Sequence, residues 1–178
     1  MIPAAASGAA QAQTRQITLA YCSQLLCGVP YEVARTDGHF KNHGLDVQLV
    51  YTRGGNAAMQ ALIGGAYEFM GVAVRGKEVE QRRPEMVALT AALADSLKAL
   101  RAMSGEQLTA ALPKEMTTGL DLKEFGDILE QHRDALYPET VTIDVDAGKR
   151  VAQSLIAGGL IKPGANIAGL YDTSIAGG

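Results

Sequence analysis

The chain has 178 residues, of which 47% are hydrophobic and 20% charged, a balance typical of a globular protein with one sizeable core. A net charge of -3 and the absence of tryptophan give no reason to expect a nucleic acid or an anionic membrane surface as partner. No stretch approaches the roughly 18 consecutive apolar residues that a membrane-spanning helix needs.

The N-terminal residues are small and polar and show no hydrophobic periodicity. We therefore expect residues 1–16 to lie outside the fold and residues 17–178 to form a single α/β lobe. The run "AAASGAAQA" is similar to the small-residue end of a secretory signal, although the basic and apolar regions that precede such an end are missing. Either the protein is exported and its signal is incomplete in this sequence, or the likeness is accidental.

Three segments of the first half have the pattern of β-strands. Alternating β-branched and aromatic residues predict strands over residues 17–22 and 45–51. The wholly apolar run 69–74 predicts a third strand of the kind that is buried on both faces of a parallel sheet. Because helical patterns separate these strands, we expect a three-layer α/β lobe with a short parallel sheet.

The segments between these strands are predicted to be helical. Residues 23–29 are predicted to be a loop, and Pro30 to open a helix that runs to Phe40. The next helix follows Asn56 and is predicted to bury a stripe made of Met59, Leu62 and Ile63.

The second half of the chain is predicted to be almost entirely helical. Pro84 is predicted to open a long helix that ends near residue 103. The pairs Ser104 with Gln107 and Asp121 with Glu124 have the spacing of capping boxes, so further helices should begin there. A last helix is predicted to begin near Asp144 or Asp146 and to end at Gly158 and Gly159, and either "VRG" (74–76) or "VTI" (141–143) could add an edge strand.

The turn "RGGN" lies between the second strand and the helix that follows it. Gly54 and Gly55 lack Cβ atoms, so the backbone can turn sharply there and approach another molecule closely. Asn56 is predicted to cap the helix. A strand, a glycine turn and a helix N-terminus together leave backbone N–H groups that can bind an anion or a carbonyl oxygen.

Cys22 and Cys27 are the two cysteines of the chain. Their spacing matches neither a zinc-binding pair nor a redox Cys-x-x-Cys motif. They are interpreted either as a local disulfide, if the protein is exported, or as buried thiols.

About sixty consecutive residues carry a family resemblance. Pro30, Ala34, Gly38 and Phe40 precede "GLDV" (44–47), the glycine pair at 54–55 and "ALIGG" (61–65) in that order. In this order they resemble the substrate-binding proteins of ABC importers for nitrate, sulfonate, taurine and thiamine precursors. The resemblance implies a lobe of the type II periplasmic-binding-protein kind, and the order of the later segments is similar as well.

The resemblance also implies that a segment is missing. In the family a complete second lobe stands between the third strand and the "VRG" run, whereas here Ala73 is followed directly by Val74. The chain is therefore interpreted as the first lobe alone, made of an N-terminal part, 17–73, and a returning helical part, 74–178.

What the resemblance implies about function is a solute-binding role. Family members hold their solute in a cleft between two lobes, at loops that follow the sheet strands, and open parallel sheets also bind ligands at that edge. The corresponding ligand-binding residues here are Tyr21, Cys22, Ser23, Gln24, Gly54, Gly55, Asn56 and Gly71. The implied solute is a small anion or a nitrogen heterocycle, the implied partner is an ABC permease, and the implied location is the periplasm. With one wall of the cleft absent, we expect weak binding or none.

Two alternatives remain open at this stage. An isolated or engineered half-receptor could act as an interaction module, with homodimerisation covering the surface that the second lobe would cover. Relatives that make a thiamine pyrimidine precursor are enzymes that use pyridoxal phosphate and a cysteine-rich motif. Since that motif is missing from this sequence, we expect no catalysis and no cofactor.

Overall fold

The computed structural model describes residues 14–22, 25–52 and 54–176. Within these residues, three parallel strands form one sheet in the order β2-β1-β3, namely β1 (Arg15–Cys22), β2 (Leu45–Thr52) and β3 (Phe69–Met70). The α-helices in this part of the chain are α1 (Leu25–Thr36), α2 (His39–Asn42), α3 (Gly55–Ile63), α4 (Val79–Ala102), α5 (Gly105–Ala110), α6 (Lys114–Thr117), α7 (Leu122–Leu136) and α8 (Val145–Ala157). The predicted parallel α/β class is confirmed.

The two long strands pair along their whole length. Their register runs from Arg15 opposite Leu45 to Cys22 opposite Thr52. Both strands were predicted, but β1 begins two residues earlier than expected, so the predicted boundary of the fold after residue 16 is wrong. Arg15 is already fixed by the sheet, because its N–H donates to the carbonyl oxygen of Gly44 at 2.9 Å.

The third strand is much shorter than predicted. Only Phe69 and Met70 of the predicted run 69–74 form a strand, pairing with Leu19 and Ala20. The chain then reverses, because Gly71 has a φ of 57° and Met70 and Ala73 exchange two backbone hydrogen bonds at 2.9 and 3.0 Å. An apolar composition predicted burial here but did not reveal this tight turn.

The main core lies between the sheet and two helices. Ile17, Leu19 and Tyr21 of β1 belong to one buried cluster with side chains of α1 and α4. Helix α3 contacts all three strands, and its buried residues, Ala58 and Leu62, lie outside that cluster. Because side chains alternate along a strand, α3 packs on the opposite face of the sheet.

The buried face of α3 differs from the predicted one. Leu62 is buried as expected, but it pairs with Ala58, whereas Met59 and Ile63 are 40% and 70% exposed. Two pairs of apolar residues in α3 have the spacing of one helix face, namely 58 with 62 and 59 with 63. Spacing alone therefore did not show which pair is buried. The sheet favours the smaller residue, since an alanine lets the helix approach the strands closely.

Helix α1 starts where a loop was predicted. It begins at Leu25, so Pro30 lies inside the helix and the predicted loop over residues 25–29 is wrong. A proline has no N–H, so the carbonyl of Leu26, four residues earlier, loses its helical partner. The Tyr137 hydroxyl donates a hydrogen bond to that carbonyl at 3.0 Å and restores a partner. The helix also ends earlier than predicted, before Gly38, whose φ of 76° separates α1 from α2.

Helix α4 also extends on the N-terminal side of its proline. Pro84 was predicted to open this helix, but the helix begins at Val79 and follows a short 3-10 turn over Gly76–Glu78. The extra turn is stabilised by Glu78, which accepts hydrogen bonds from Arg75 at 2.6 and 2.7 Å and from Arg82 at 2.9 Å.

The helix starts predicted from capping residues are confirmed in the second half. Ser104 and Gln107 form a complete capping box, and Asp121 and Asp144 accept hydrogen bonds from the first turns of α7 and α8. Helix α8 ends at Gly158 as expected.

The predicted additional edge strand is not formed. Residues 74–76 and residues 141–143 are both outside any strand, so that prediction is wrong. Among the described residues, no helix is long and apolar enough to cross a membrane.

Candidate functional site

The carboxyl ends of the three strands meet at one edge of the sheet. The Thr52 hydroxyl donates to the carbonyl oxygen of Tyr21 at 3.0 Å, which joins the end of β2 to the end of β1. The N–H of Gly71 donates to the carbonyl oxygen of Ala20 at 2.9 Å, which joins the turn after β3 to the same strand. The C-terminal ends of the three strands therefore lie at a common edge, which is where open parallel sheets bind ligands.

The turn after β2 presents backbone at this edge. Gly54 has φ 89° and ψ 161°, a conformation that side-chain-bearing residues rarely adopt, and its N–H donates to the carbonyl oxygen of Thr52 at 2.9 Å. Helix α3 starts immediately afterwards at Gly55. Gly55 and Asn56 are both exposed, so their backbone can be reached by a molecule in solution.

The predicted cap of α3 is wrong. The N-cap residue is Gly54, which has no side chain to cap the helix, and Asn56 is the second helical residue rather than the cap. The first N–H groups of a helix have no acceptor within the helix. At this edge of the sheet they therefore carry the positive end of the helix dipole without a capping side chain, an arrangement that favours an anion or a carbonyl oxygen.

The turn after β3 requires glycine at a second position. Gly71 has a positive φ, and a Cβ atom built there would lie 2.9 Å from the hydroxyl oxygen of Tyr31. Close packing of Tyr31 against the backbone thus forms part of this edge. The sequence indicated Gly71 but gave no indication of Tyr31.

A buried polar network lies directly beneath the edge. The Tyr21 side chain is 4% exposed, and its hydroxyl donates to a carboxylate oxygen of Glu32 at 2.6 Å. Arg35 donates to the other oxygen of Glu32 at 2.8 Å. Burial, followed by the hydrogen bond from Tyr21 to Glu32, raises the pKa of Tyr21 above its ordinary value, so this phenol stays protonated at neutral pH.

Aromatic rings surround this network. The Tyr21 ring stacks on Tyr31 with their centroids 5.7 Å apart and meets the ring of Tyr51 edge-on at the same distance. Tyr51 is 45% exposed and forms part of the surface. Of the three tyrosines, Tyr21 lies below the surface with its hydroxyl already bonded, which indicates that it positions the strand end rather than lining an open site.

The predicted site residues are thus distributed as follows. Gly54, Gly55, Asn56 and Gly71 lie at the common edge, and Tyr21 lies beneath it. Cys22 ends β1, but its side chain, together with Ser23 and Gln24, lies outside the described residues. Cys27 is exposed in α1, so the interpretation of this cysteine as a buried thiol is wrong, and the pairing of the two cysteines stays a prediction.

Sequence reasoning missed Glu32 and Arg35. Glu32 is 3% exposed and lies three residues after the buried Val29, on the same face of α1. A carboxylate at that spacing on an otherwise apolar face was the available indication, since buried carboxylates require hydrogen-bond partners.

A largely apolar cavity of about 340 Å³ lies beside this edge. It is bounded by α1, α4 and residues 136–142, and Val72 brings it next to the turn after β3. Gly54, Gly55 and Asn56 do not line it. Within the described part of the chain, no cluster of three or more His, Cys, Asp or Glu residues is placed to hold a metal ion.

Comparison of the chain with protein-family models, with curated proteins and with solved structures finds no match.

Proposed function

We propose that this chain is a solute-binding lobe of the kind found in ABC-importer substrate-binding proteins for nitrate, sulfonate, taurine and thiamine precursors. The observation that carries the proposal is the edge where the three parallel strands end, with Gly54 preceding an α3 N-terminus that no side chain caps. The order of sequence segments that resembles this family supports the same function independently.

The chemistry of the edge favours an anion as solute. The groups exposed there are backbone N–H donors and the Asn56 amide, and helix N-termini stabilise negative charge. A nitrogen heterocycle that offers a ring nitrogen or carbonyl acceptor is the second solute class. In either case the protein would act in the periplasm and deliver its solute to an ABC permease.

The binding is expected to be weak. Good small-molecule sites bury about 70–90% of the ligand surface, and a single wall buries much less. We therefore expect millimolar dissociation constants for the isolated lobe, which correspond to about 4 kcal/mol of binding free energy.

Two matched variants test the site. Asn56→Asp places a negative charge in the first turn of α3, and Gln60→Glu makes the same change one turn later on the same exposed helix. Isothermal titration with nitrate, methanesulfonate, taurine and a hydroxymethylpyrimidine is run on the wild type and on both variants. We expect Asn56→Asp to abolish binding of the anions and Gln60→Glu to leave it within about twofold, since dipole and charge effects decline beyond the first turn.

The stability of the variants provides the control. An acidic residue in the first turn stabilises a helix by about 0.3–1 kcal/mol, so Asn56→Asp should be at least as stable as the wild type. If no solute gives saturable binding, or if both variants bind anions as the wild type does, the proposed site is wrong. If the wild type binds the pyrimidine and none of the anions, the solute class is the heterocycle.

A second candidate function is homodimerisation. Met59 and Ile63 are exposed on one face of α3, and such apolar faces commonly become protein interfaces. Light scattering of the wild type and of Ile63→Glu tests this function. A dimer that the variant converts to a monomer supports it, and a wild-type monomer at high concentration excludes it.

A further inference from the structure

A second cavity lies away from the glycine turn. It has a volume of about 460 Å³, within the range of small-molecule sites, and is enclosed by α4, residues 72–79, residues 141–143 and the C-terminal segment 169–176. Tyr21, Gly54, Gly55 and Asn56 do not line this cavity. It is therefore a separate feature from the solute-binding edge, although Val72 and Ala73 lie between the two.

A buried polar side chain of α4 lines this cavity, whose other polar lining side chains, Tyr171 and Asp172, belong to the C-terminal segment. Thr90 is 9% exposed, and its hydroxyl forms no hydrogen bond with a described residue. Helical threonines usually donate to a carbonyl one turn earlier, as Thr36 does to Glu32 and Thr109 does to Glu106 in this chain. The Thr90 hydroxyl is thus available to a molecule in the cavity.

The C-terminal wall of the cavity is held by one arginine. Arg83 of α4 donates to the Asp172 carboxylate at 3.1 Å and to the Ser174 hydroxyl at 3.0 Å. The other oxygen of Asp172 accepts from the N–H and the hydroxyl of Ser174 at 3.0 and 2.6 Å. Ile175, 8% exposed, anchors this segment against the protein. The wall has little regular secondary structure, since a 3-10 turn over Ala168–Leu170 is its one helical element among the described residues.

These surroundings define the ligand chemistry. The main side chains that face the cavity are apolar, among them Val79, Met86, Leu89 and Ile143. The carboxylate of Asp172 is already bonded on both oxygens, so it offers little to a cation. We propose that this cavity binds an uncharged, mainly apolar small molecule whose single hydroxyl or carbonyl group hydrogen-bonds to Thr90.

A pair of probes of equal shape tests the proposal. 2-Naphthol and 2-methylnaphthalene differ in a hydroxyl and a methyl group, and both are fluorescent, so their binding is measured by fluorescence anisotropy. The wild type should bind 2-naphthol about tenfold more tightly than 2-methylnaphthalene, as expected for one hydrogen bond in an apolar site.

Variants locate the preference for the hydroxyl at one side chain. Thr90→Val, which keeps the shape of the side chain, should bind both probes equally, and Thr90→Ser should retain the preference. Thr109→Val is the matched control, because Thr109 is a buried helical threonine whose hydroxyl is already bonded to its own helix. Arg83→Gln should weaken the binding of both probes, since it releases the wall formed by residues 169–176.

The outcomes separate clearly. Loss of the preference in Thr90→Val alone, with a circular dichroism spectrum like that of the wild type, supports the site. Absence of saturable binding of either probe to the wild type overturns the proposal. Equal preference in the wild type and in Thr90→Val also overturns it, because the probes would then be bound elsewhere.

Discussion

At the scale of single residues, the contact between Tyr137 and Leu26 explains how a proline is accommodated inside α1. Pro30 cannot donate to the Leu26 carbonyl, and the Tyr137 hydroxyl takes over that role from more than a hundred positions away in the chain. Burial raises the pKa of Tyr137 to about 12, so the hydroxyl remains a donor over the whole neutral range. The second half of the chain thereby fixes the helix that carries Tyr31 and Glu32.

This contact gives a prediction about folding stability. Tyr137→Phe should lower the free energy of unfolding by about 0.5–1.5 kcal/mol, because the partly buried carbonyl of Leu26 loses its partner. Tyr67→Phe is the control, since no hydrogen bond of the Tyr67 hydroxyl joins it to a described residue. Urea denaturation followed by circular dichroism measures both variants. If the two variants are equally stable, the hydrogen bond from Tyr137 to the Leu26 carbonyl does not contribute to the free energy of unfolding.

At the scale of elements, α5 and α7 approach each other through two glycines. A Cβ atom built on Gly126 would lie 2.9 Å from backbone atoms of Gly105, and one built on Gly105 would lie 2.2 Å from the Gly126 carbonyl oxygen. The N–H of Gly105 also donates to Glu130 at 2.7 Å, across the same contact. Backbone atoms cannot move aside as side chains do, so this helix pair depends on both glycines.

A substitution in this helix pair should be costly. We expect Gly126→Ala to destabilise the protein by at least about 2 kcal/mol, because overpacking between backbones forces the helices apart. Gly76→Ala is the matched control, since a Cβ atom at Gly76 meets nothing within 4 Å. Thermal unfolding compares the two, and a Gly126→Ala variant as stable as the control would contradict the close contact.

Arg75 joins three elements at the junction between the strand-rich half and the helical half of the chain. One nitrogen of its guanidinium donates to the carbonyl oxygens of Leu62 and Tyr67, both at 2.7 Å, and the other two nitrogens donate to Glu78. The end of α3, the segment before β3 and the start of α4 are therefore held together by one side chain. This contact fixes the passage of the chain from its strand-rich half to its helical half.

The same contact predicts a dependence on pH. Hydrogen bonds from Arg75 and then from Arg82 lower the pKa of Glu78 from its ordinary value of 4.5 to about 2. Because the pKa is lower in the folded state, the stability from this group is fully present above about pH 4.5 and is lost as the pH falls towards 2.

Arg75→Lys tests that dependence, since a lysine cannot reproduce the guanidinium geometry. We expect the variant to be less stable at neutral pH and to unfold at a higher pH during acid titration. Lys77→Ala, an exposed change in the same turn, should do neither. If Arg75→Lys unfolds at the same pH as the wild type, the hydrogen bonds from Arg75 to Glu78 do not determine the acid stability of the protein.

The sequence predicted those elements whose determinants are local. The strands β1 and β2 follow from alternation, and the starts of α5, α7 and α8 follow from Ser104, Asp121 and Asp144, each of which caps its own helix. The starts of α1 and α4 were missed because distant or neighbouring side chains stabilise them against their prolines. Tyr137 does so for α1, and the ion pairs of Glu78 do so for α4.

The candidate site was predictable to a similar degree. Gly54 was identified because two consecutive glycines allow a sharp turn, and Gly71 because the family resemblance assigns it to the site; the structure places both at the common edge, with positive φ values. The pairing of Tyr21 with Glu32 was not identified, because it depends on how α1 packs against β1. The glycine pair before α3 could therefore be recognised from sequence, whereas the tight turn at Gly71 and the side chains that support the edge could not.

At the scale of the whole molecule, the proposed function depends on a single wall. The sheet edge offers backbone donors at Gly55 and Asn56 but nothing on the described chain covers them from the opposite side, which is why both residues are exposed. A lobe of this kind would recognise its solute by charge and would require a second surface for tight binding. The apolar face at Met59 and Ile63 is where a second copy could contribute that surface.

The most direct test of this account is a two-dimensional ¹H–¹⁵N nuclear magnetic resonance titration with methanesulfonate, with ionic strength matched by sodium chloride. The account predicts saturable shifts of the amide signals of Gly54, Gly55, Asn56 and Gly71, which disappear in Asn56→Asp and persist in Gln60→Glu. Shifts centred elsewhere in the protein, or no saturable shift at this edge for any of the four proposed solutes, would contradict the claim that the strand ends form a solute-binding site.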